Sequence, residues 1–155
     1  MTAEDQFLLK AAEAARAGHH IFPQMAACEA ALESGWGRSQ LAVEANNLFG
    51  QKQDWWHPEG MGTLSLPTEE FLGDKWVRVT AEWVRFANWA DCFAGRMHLL
   101  ELLSVEYPSY AEALRAETPE EFVELVSRRW STDPERAAKV IEIYNAHRGA
   151  FPLDA

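Results

Sequence analysis

Two carboxylates four residues apart, Glu29 and Glu33, interrupt a stretch that is otherwise almost wholly apolar from Met25 to Leu32. On a helix that spacing makes them neighbours on one face. Glu33 stands at the end of the run, just before the tight turn Gly35-Trp36-Gly37. Burial disfavours the charged form of a carboxylate and raises its pKa. A carboxyl group that keeps its proton near neutrality is what a general acid needs. Glu29, if ionised, adds like-charge pressure in the same direction; alternatively it holds Arg38 or another base and is structural. The plainer reading of Glu33 is a helix-end carboxylate satisfied by backbone amides or an arginine, and periodicity alone leans slightly that way.

The elements that must position these groups follow from spacing. Phe7, Leu8, Ala11 and Ala15 recur at helical intervals, so Ala3 to Ala17 reads as an amphipathic helix. Gly18-His19-His20 ends it, and the paired histidines read as a solvated connection. Pro23 suits the first turn of a second helix running to about Ser34. Met25, Cys28, Leu32 and Trp36 form one stripe on it while Ala26, Ala27, Ala30 and Ala31 cover much of the rest. A helix that apolar all round is a central one.

From Leu48 to Phe86 the texture changes: "MGTLSL" and "KWVRVTAEWVRF" alternate, with "EEFLGDK" as the turn between them. Val77, Val79 and Ala81 share one side, and Val84 and Phe86 continue the alternation only if a bulge falls near Glu82. The helical period returns after Asn88 with Trp89, Phe93, Met97 and Leu100. Thr118-Pro119 starts a further helix, and Asp133-Pro134 a last one carrying Ala137, Val140, Ile141 and Tyr144. The predicted fold class is therefore mainly α, a helical domain with a small inserted antiparallel β-lobe.

Composition bounds the partners. The chain has 155 residues, enough for one domain with a real core, and is 48% hydrophobic and 25% charged. A net charge of −10 disfavours nucleic-acid backbones and anionic membranes. No run approaches the length of a membrane helix. The two cysteines, Cys28 and Cys92, are expected to be buried free thiols, and no thiol or imidazole spacing suggests a metal. The N-terminus has acids before its apolar residues and no basic leader, so no export signal is expected.

The motif "AALESGWGRSQLA" followed by "NNLFG" resembles the signature of glycoside hydrolase family 73, the N-acetylglucosaminidases of peptidoglycan. The likeness runs from about His20 to Ile143. It implies a lysozyme-like fold of one domain, residues 1–155, whose mobile β-lobe closes a groove over a glycan strand. It identifies Glu33, in "ESGWG", as the catalytic acid. "PTEEF" resembles the lobe segment that holds a second acidic residue, which counting back from "VRFANW" places at Glu70, with Glu69 as the fallback. Asn47, Phe49 and Gly50 would close the groove floor, Asn47 bonding an acetamido group, although Phe49 taken alone reads better as core. Trp55 and Trp56, beside His57-Pro58, would stack on sugars. Trp130 stands where the family usually has a tyrosine, and Arg136 where a second aromatic is often found. Trp130 can still stack on a sugar but donates no phenolic hydrogen bond.

The resemblance implies an endo-β-N-acetylglucosaminidase, cutting the strand after GlcNAc. Two other readings stay open: a muramidase or lytic transglycosylase of the same fold, or an inactive glycan-binding relative. No cofactor is implied. The expected partner is the peptidoglycan strand, without nucleic acid or membrane insertion, and the expected state is a monomer. The expected setting is that of a phage endolysin, made in the cytoplasm and reaching the cell wall by assisted release.

Overall fold

Local signals place most of the helices. In the computed structural model, which describes residues 1–53 and 58–152, α1 spans Ala3–Ala17 and opens on a capping box in which Thr2 and Asp5 satisfy each other's backbone amides. Helix α2, Pro23–Ser34, starts on its proline and ends on Gly35 in the left-handed conformation. Helix α4, Trp89–Ser104, is capped by Asn88, and α6, Pro119–Trp130, by Thr118. Three shorter helical segments escaped periodicity: α3 at Gln40–Ala45, α5 at Pro108–Ala113 and a 3-10 turn at Arg148–Ala150. Six residues or fewer are too few to show a 3.6-residue pattern. Helix α7 runs Arg136–Ala146. It begins two residues later than Pro134, because Asp133 first folds the chain into a turn by accepting the Glu135 amide.

Helix α2 is the axle. Its alanines are fully buried, and it packs on α1, α6 and α7. A second core cluster of Met97, Leu100, Tyr110, Phe122, Leu125 and Val126 lies between α4, α5 and α6. Cys28 and Cys92 are free and buried, as expected, and burial pushes both thiols up to about 12. Among the described residues no helix is long and apolar enough to cross a membrane.

The lobe is one antiparallel hairpin of β1, Gly60–Leu72, and β2, Lys75–Phe86, turning at Gly73-Asp74. Leu66 faces Ala81, Thr68 faces Val79 and Glu70 faces Val77, so the expected side of Val77, Val79 and Ala81 is realised. The bulge is elsewhere than expected. It lies on β1 between Gly60 and Thr63, opposite the end of β2, and not at Glu82. The phase change along β2 needs no bulge of its own. Val84 and Phe86 are buried because the opposite face of the strand meets the helical body there, and the Phe86 ring lies over Gly95 of α4, where an added Cβ would come within 2.9 Å of it.

The "NNLFG" segment anchors the lobe. Asn46 donates to the carbonyls of Phe86 and Ala87, and Asn47 donates to those of Gln51 and Val84. The Gln51–Gln53 segment then runs beside β2, with Lys52 paired to Trp83.

Candidate active site

The Gly35-Trp36-Gly37 turn sets the end of α2. All three residues have positive φ, between 57° and 78°. That folds Trp36 back onto Phe7 and His147, away from the acid. An added Cβ at Gly37 would meet the Phe7 ring at 2.9 Å, so a glycine is required there for space as well as for backbone. Ser34 closes the turn, donating to the Ala30 carbonyl and accepting the Gly37 amide.

Of the two carboxylates of α2 it is Glu33 that meets its plainer reading, a helix-end carboxylate held by an arginine, and Glu29 that is buried among bases. Glu29 is the desolvated one, with its side chain 0% exposed, whereas the Glu33 side chain is 25% exposed and its backbone lies at the open helix end. Glu29 does not pair with Arg38. It accepts a bidentate pair of hydrogen bonds from Arg96 of α4, at 2.8 and 2.7 Å, and a third from Arg136 Nη2 of α7 at 2.9 Å. Arg136 Nε donates to Glu33 Oε1, also at 2.9 Å. The guanidinium of Arg96 is packed 4.5 Å from the ring centres of both Phe49 and Trp130. Two arginines and two glutamates thus form a continuous cluster whose formal charges cancel when both carboxyls are ionised.

His20 belongs to this cluster and not to a solvated connection. It is 4% exposed, its Nδ1 lies 2.6 Å from the Ile21 carbonyl, and its Nε2 lies 3.1 Å from Arg96 Nη1. Burial first, and then the Arg96 charge, lower its pKa from 6.5 to about 3. For Glu29 burial acts upward, but the charges of Arg96 and Arg136 outweigh it and hold the group at about 2. Both shifts act on stability in the same sense. Between about pH 6.5 and 3 the unfolded chain binds a proton on this histidine that the folded protein refuses. Below about 4.5 the same holds for Glu29. Stability therefore falls as pH drops from 6.5. Thermal melts from pH 7 to 4.5 should show a decreasing midpoint for wild type and a flatter decrease for His20→Gln. Parallel slopes in the two proteins would overturn this assignment.

A cleft of about 400 Å³ opens beside Glu33, walled by Phe49, Gly50, Lys52, Trp83, Arg129 and Trp130 among others. A second depression of about 420 Å³ adjoins it and carries Glu70, with Thr80 and Glu82. Lys52 lines both, and its Nζ lies 3.8 Å from Glu70 Oε1. Glu69 pairs with Arg78 across the hairpin, and of these two lobe acids it is Glu70 that lines this second depression.

The other expected contact residues divide. Gly50 and Trp130 are on the cleft wall, and Phe49 is 3% exposed, a core ring that forms its floor against Phe93 and Trp130. Asn47 is placed otherwise than expected. It is 1% exposed, both hydrogens of its amide are engaged by carbonyls, and its Oδ1 accepts the Gln51 amide, so it holds the loop and presents nothing to an acetamido group. Trp55 and Trp56 lie outside the described residues. Arg96 and His20 were not read from sequence as members of the site, and Arg136 was read only as standing where a second aromatic is often found. A signal for two of them existed. Arg96 falls three residues after Phe93 on the buried phase of α4, and Arg136 shares the phase of Val140 and Tyr144. An arginine on a core stripe needs a buried acid.

The profile of the Glucosaminidase family, described as mannosyl-glycoprotein endo-beta-N-acetylglucosaminidase, matches residues 9–149. The chain is 30% identical over 138 residues to the peptidoglycan hydrolase FlgJ of Vibrio parahaemolyticus, covering 85% of this chain and 42% of that protein. It is 28% identical over 127 residues to the exo-glucosaminidase LytG of Bacillus subtilis, covering 81% and 44%. It is 29% identical over 135 residues to a probable N-acetylmuramidase of Lactococcus lactis, covering 83% and 30%. The chain thus spans less than half the length of these curated relatives. Among solved structures, the catalytic domain of the autolysin Auto from Listeria monocytogenes superposes with a TM-score of 0.79 at 22% identity, covering 96% of this chain and 86% of that one. A glycoside hydrolase domain of Salmonella typhimurium FlgJ superposes with a TM-score of 0.69 at 23% identity, covering 94% and 98%. These likenesses establish the fold, a lysozyme-like helical body with an inserted hairpin.

Proposed function

The chain belongs to the glucosaminidase family of glycoside hydrolases, and on that premise we propose that it cuts the β-1,4 glycan strand of peptidoglycan after GlcNAc, with Glu33 as general acid. The observation that carries the proposal is the cleft itself. Among the described residues it has the carboxyl of Glu33 on its helical wall, tryptophans at positions 83 and 130 beside it, and an adjoining depression on the lobe that holds Glu70 and Glu82, the latter tied to Thr63 and Ser65. A glycosidic bond breaks when an acid protonates the leaving oxygen while charge develops at the sugar C1 through an oxocarbenium-like transition state. Glu33 supplies that proton. Trp130 and Trp83 offer ring faces to the apolar faces of the sugars. Glu70, on a lobe that closes over the strand, activates the attacking water. That role requires the two carboxyls to stand roughly 6.5–9.5 Å apart in the closed state, the inverting spacing.

A second reading has a specific observation behind it, because the relatives carry different activity names and one is a probable N-acetylmuramidase. A muramidase or lytic transglycosylase would use the same Glu33 on the neighbouring bond. The products separate these readings. Purified peptidoglycan digested by the protein, reduced and analysed by mass spectrometry should show reduced GlcNAc ends. Reduced MurNAc or anhydro-MurNAc ends would move the bond or the mechanism, and a strand bound but left whole would make the chain a glycan-binding module. In the same digest, Glu70→Gln should lose turnover and recover it with azide as an inverted glycosyl azide. An unaffected Glu70→Gln would remove that residue from the reaction. The proposed place of action is the cell wall.

A further inference from the structure

Arg136 is 1% exposed, and its guanidinium directs three different nitrogens at three different acceptors. Nη2 donates to Glu29 Oε2 on α2 at 2.9 Å, Nη1 to Ser127 Oγ on α6 at 2.8 Å, and Nε to Glu33 Oε1 at 2.9 Å. Glu29 is itself held by the bidentate pair from Arg96. The guanidinium is planar, with its donors in a fixed fork. Once Ser127 and Glu29 hold two limbs, the direction of the third is determined. The oxygen that accepts the third limb is thereby held in one place.

This has a chemical consequence for the acid. Nε–H donates whether Glu33 is ionised or protonated, so Oε1 must offer it a lone pair in both states. In the acid form the proton is then carried by Oε2. Among the described residues no donor reaches Oε2, and the side chain is open to the cleft. We infer that Arg136 is a positioning residue that fixes the plane of the Glu33 carboxyl and reserves Oε2 for the transferred proton, an inference that rests on the reading of Glu33 as general acid. In the reaction the Oε2 proton passes to the glycosidic oxygen as that oxygen takes the electron pair of its bond to C1. Glu33 is left as a carboxylate facing the Arg136 cation, and water adds its oxygen to C1 while its proton passes to the base, Glu70 in the reading above.

The test is steady-state kinetics on soluble, uncrosslinked glycan strands, with thermal melting of each variant. For Arg136→Gln, kcat should fall about a hundredfold while KM stays within about threefold, since ground-state binding is kept and the alignment of the proton is lost. Arg136→Lys keeps the charge without the fork and should not restore kcat. Ser127→Ala frees one limb, leaves the Glu29 contacts in place, and should lower kcat about three- to tenfold at an unchanged KM and a melting point near that of wild type. A folded Arg136→Gln with wild-type kcat would overturn the inference, as would full restoration by lysine, which would make the charge alone responsible. If Arg136→Gln does not fold, Ser127→Ala decides, and wild-type kcat there overturns the inference. Glu33→Gln, measured alongside, keeps the two failures apart: an active Glu33→Gln removes the acid itself, whereas an inactive one beside fully active Arg136 and Ser127 variants removes only the role given to Arg136.

Discussion

Glu33→Gln should leave a folded, glycan-binding protein whose turnover of peptidoglycan is lower by about a thousandfold or more, the range that a positioned general acid supplies. The substitution is nearly isosteric, and the amide oxygen still accepts from Arg136 Nε, so the contact between α2 and α7 survives. What is lost is a proton of suitable acidity, since an amide N–H does not protonate a leaving alkoxide. The fold has little reason to respond, because this carboxyl lies at the edge of the buried cluster and its side chain is 25% exposed. Measurement of initial rates on purified walls, with pull-down on the same walls and a melting curve, separates chemistry from binding and folding. Turnover within tenfold of wild type would end the assignment of Glu33. Loss of binding together with turnover would make its role one of contact rather than catalysis.

Arg96→Met should cost about 3–5 kcal/mol of stability, the usual penalty for breaking a buried ion pair from one side. In a domain of this size that corresponds to a fall in Tm of roughly 6–20 °C. The reason lies in what is left behind. Glu29 loses a bidentate partner at 2.8 and 2.7 Å and keeps only Arg136, in a place where water does not reach. The rings of Phe49 and Trp130, each 4.5 Å from the guanidinium carbon, lose the group between them, and the methionine fills that space without its charge. Adding Glu29→Gln to Arg96→Met should cost less than the two single losses summed, because the double variant no longer buries the unpaired carboxylate. Denaturant unfolding of the four proteins of this cycle measures the coupling, and strict additivity would mean that the pair contributes nothing as a pair.

Much of the body of this protein is legible in its sequence because its signals are local. Pro23 and the alanines announce α2, Thr118-Pro119 announces α6, and the alternation around Gly73-Asp74 announces the hairpin. These features act within a turn or across a two-residue loop, so spacing alone reports them. The motif around Glu33 and Gly50 belongs to the same class, and it identified the family before any packing was known. The fate of Glu29 is of another kind. Its partners Arg96 and Arg136 are 67 and 107 residues away, and no periodicity connects them, so sequence offers only the nearby Arg38 or some other base without naming which. Asn47 misled for a similar reason. The family resemblance implies a ligand contact there, and only the approach of β2, which brings the Val84 carbonyl to its amide across 37 residues, makes it a structural tie. By itself, the sequence determined the longer helices, the lobe and the identity of the candidate acid, since each is written in neighbouring residues. The tertiary structure alone decided which carboxylate is buried and which arginines hold it, because charge pairing in a protein interior is settled by whichever groups the fold brings within 3 Å, however far apart they stand along the chain.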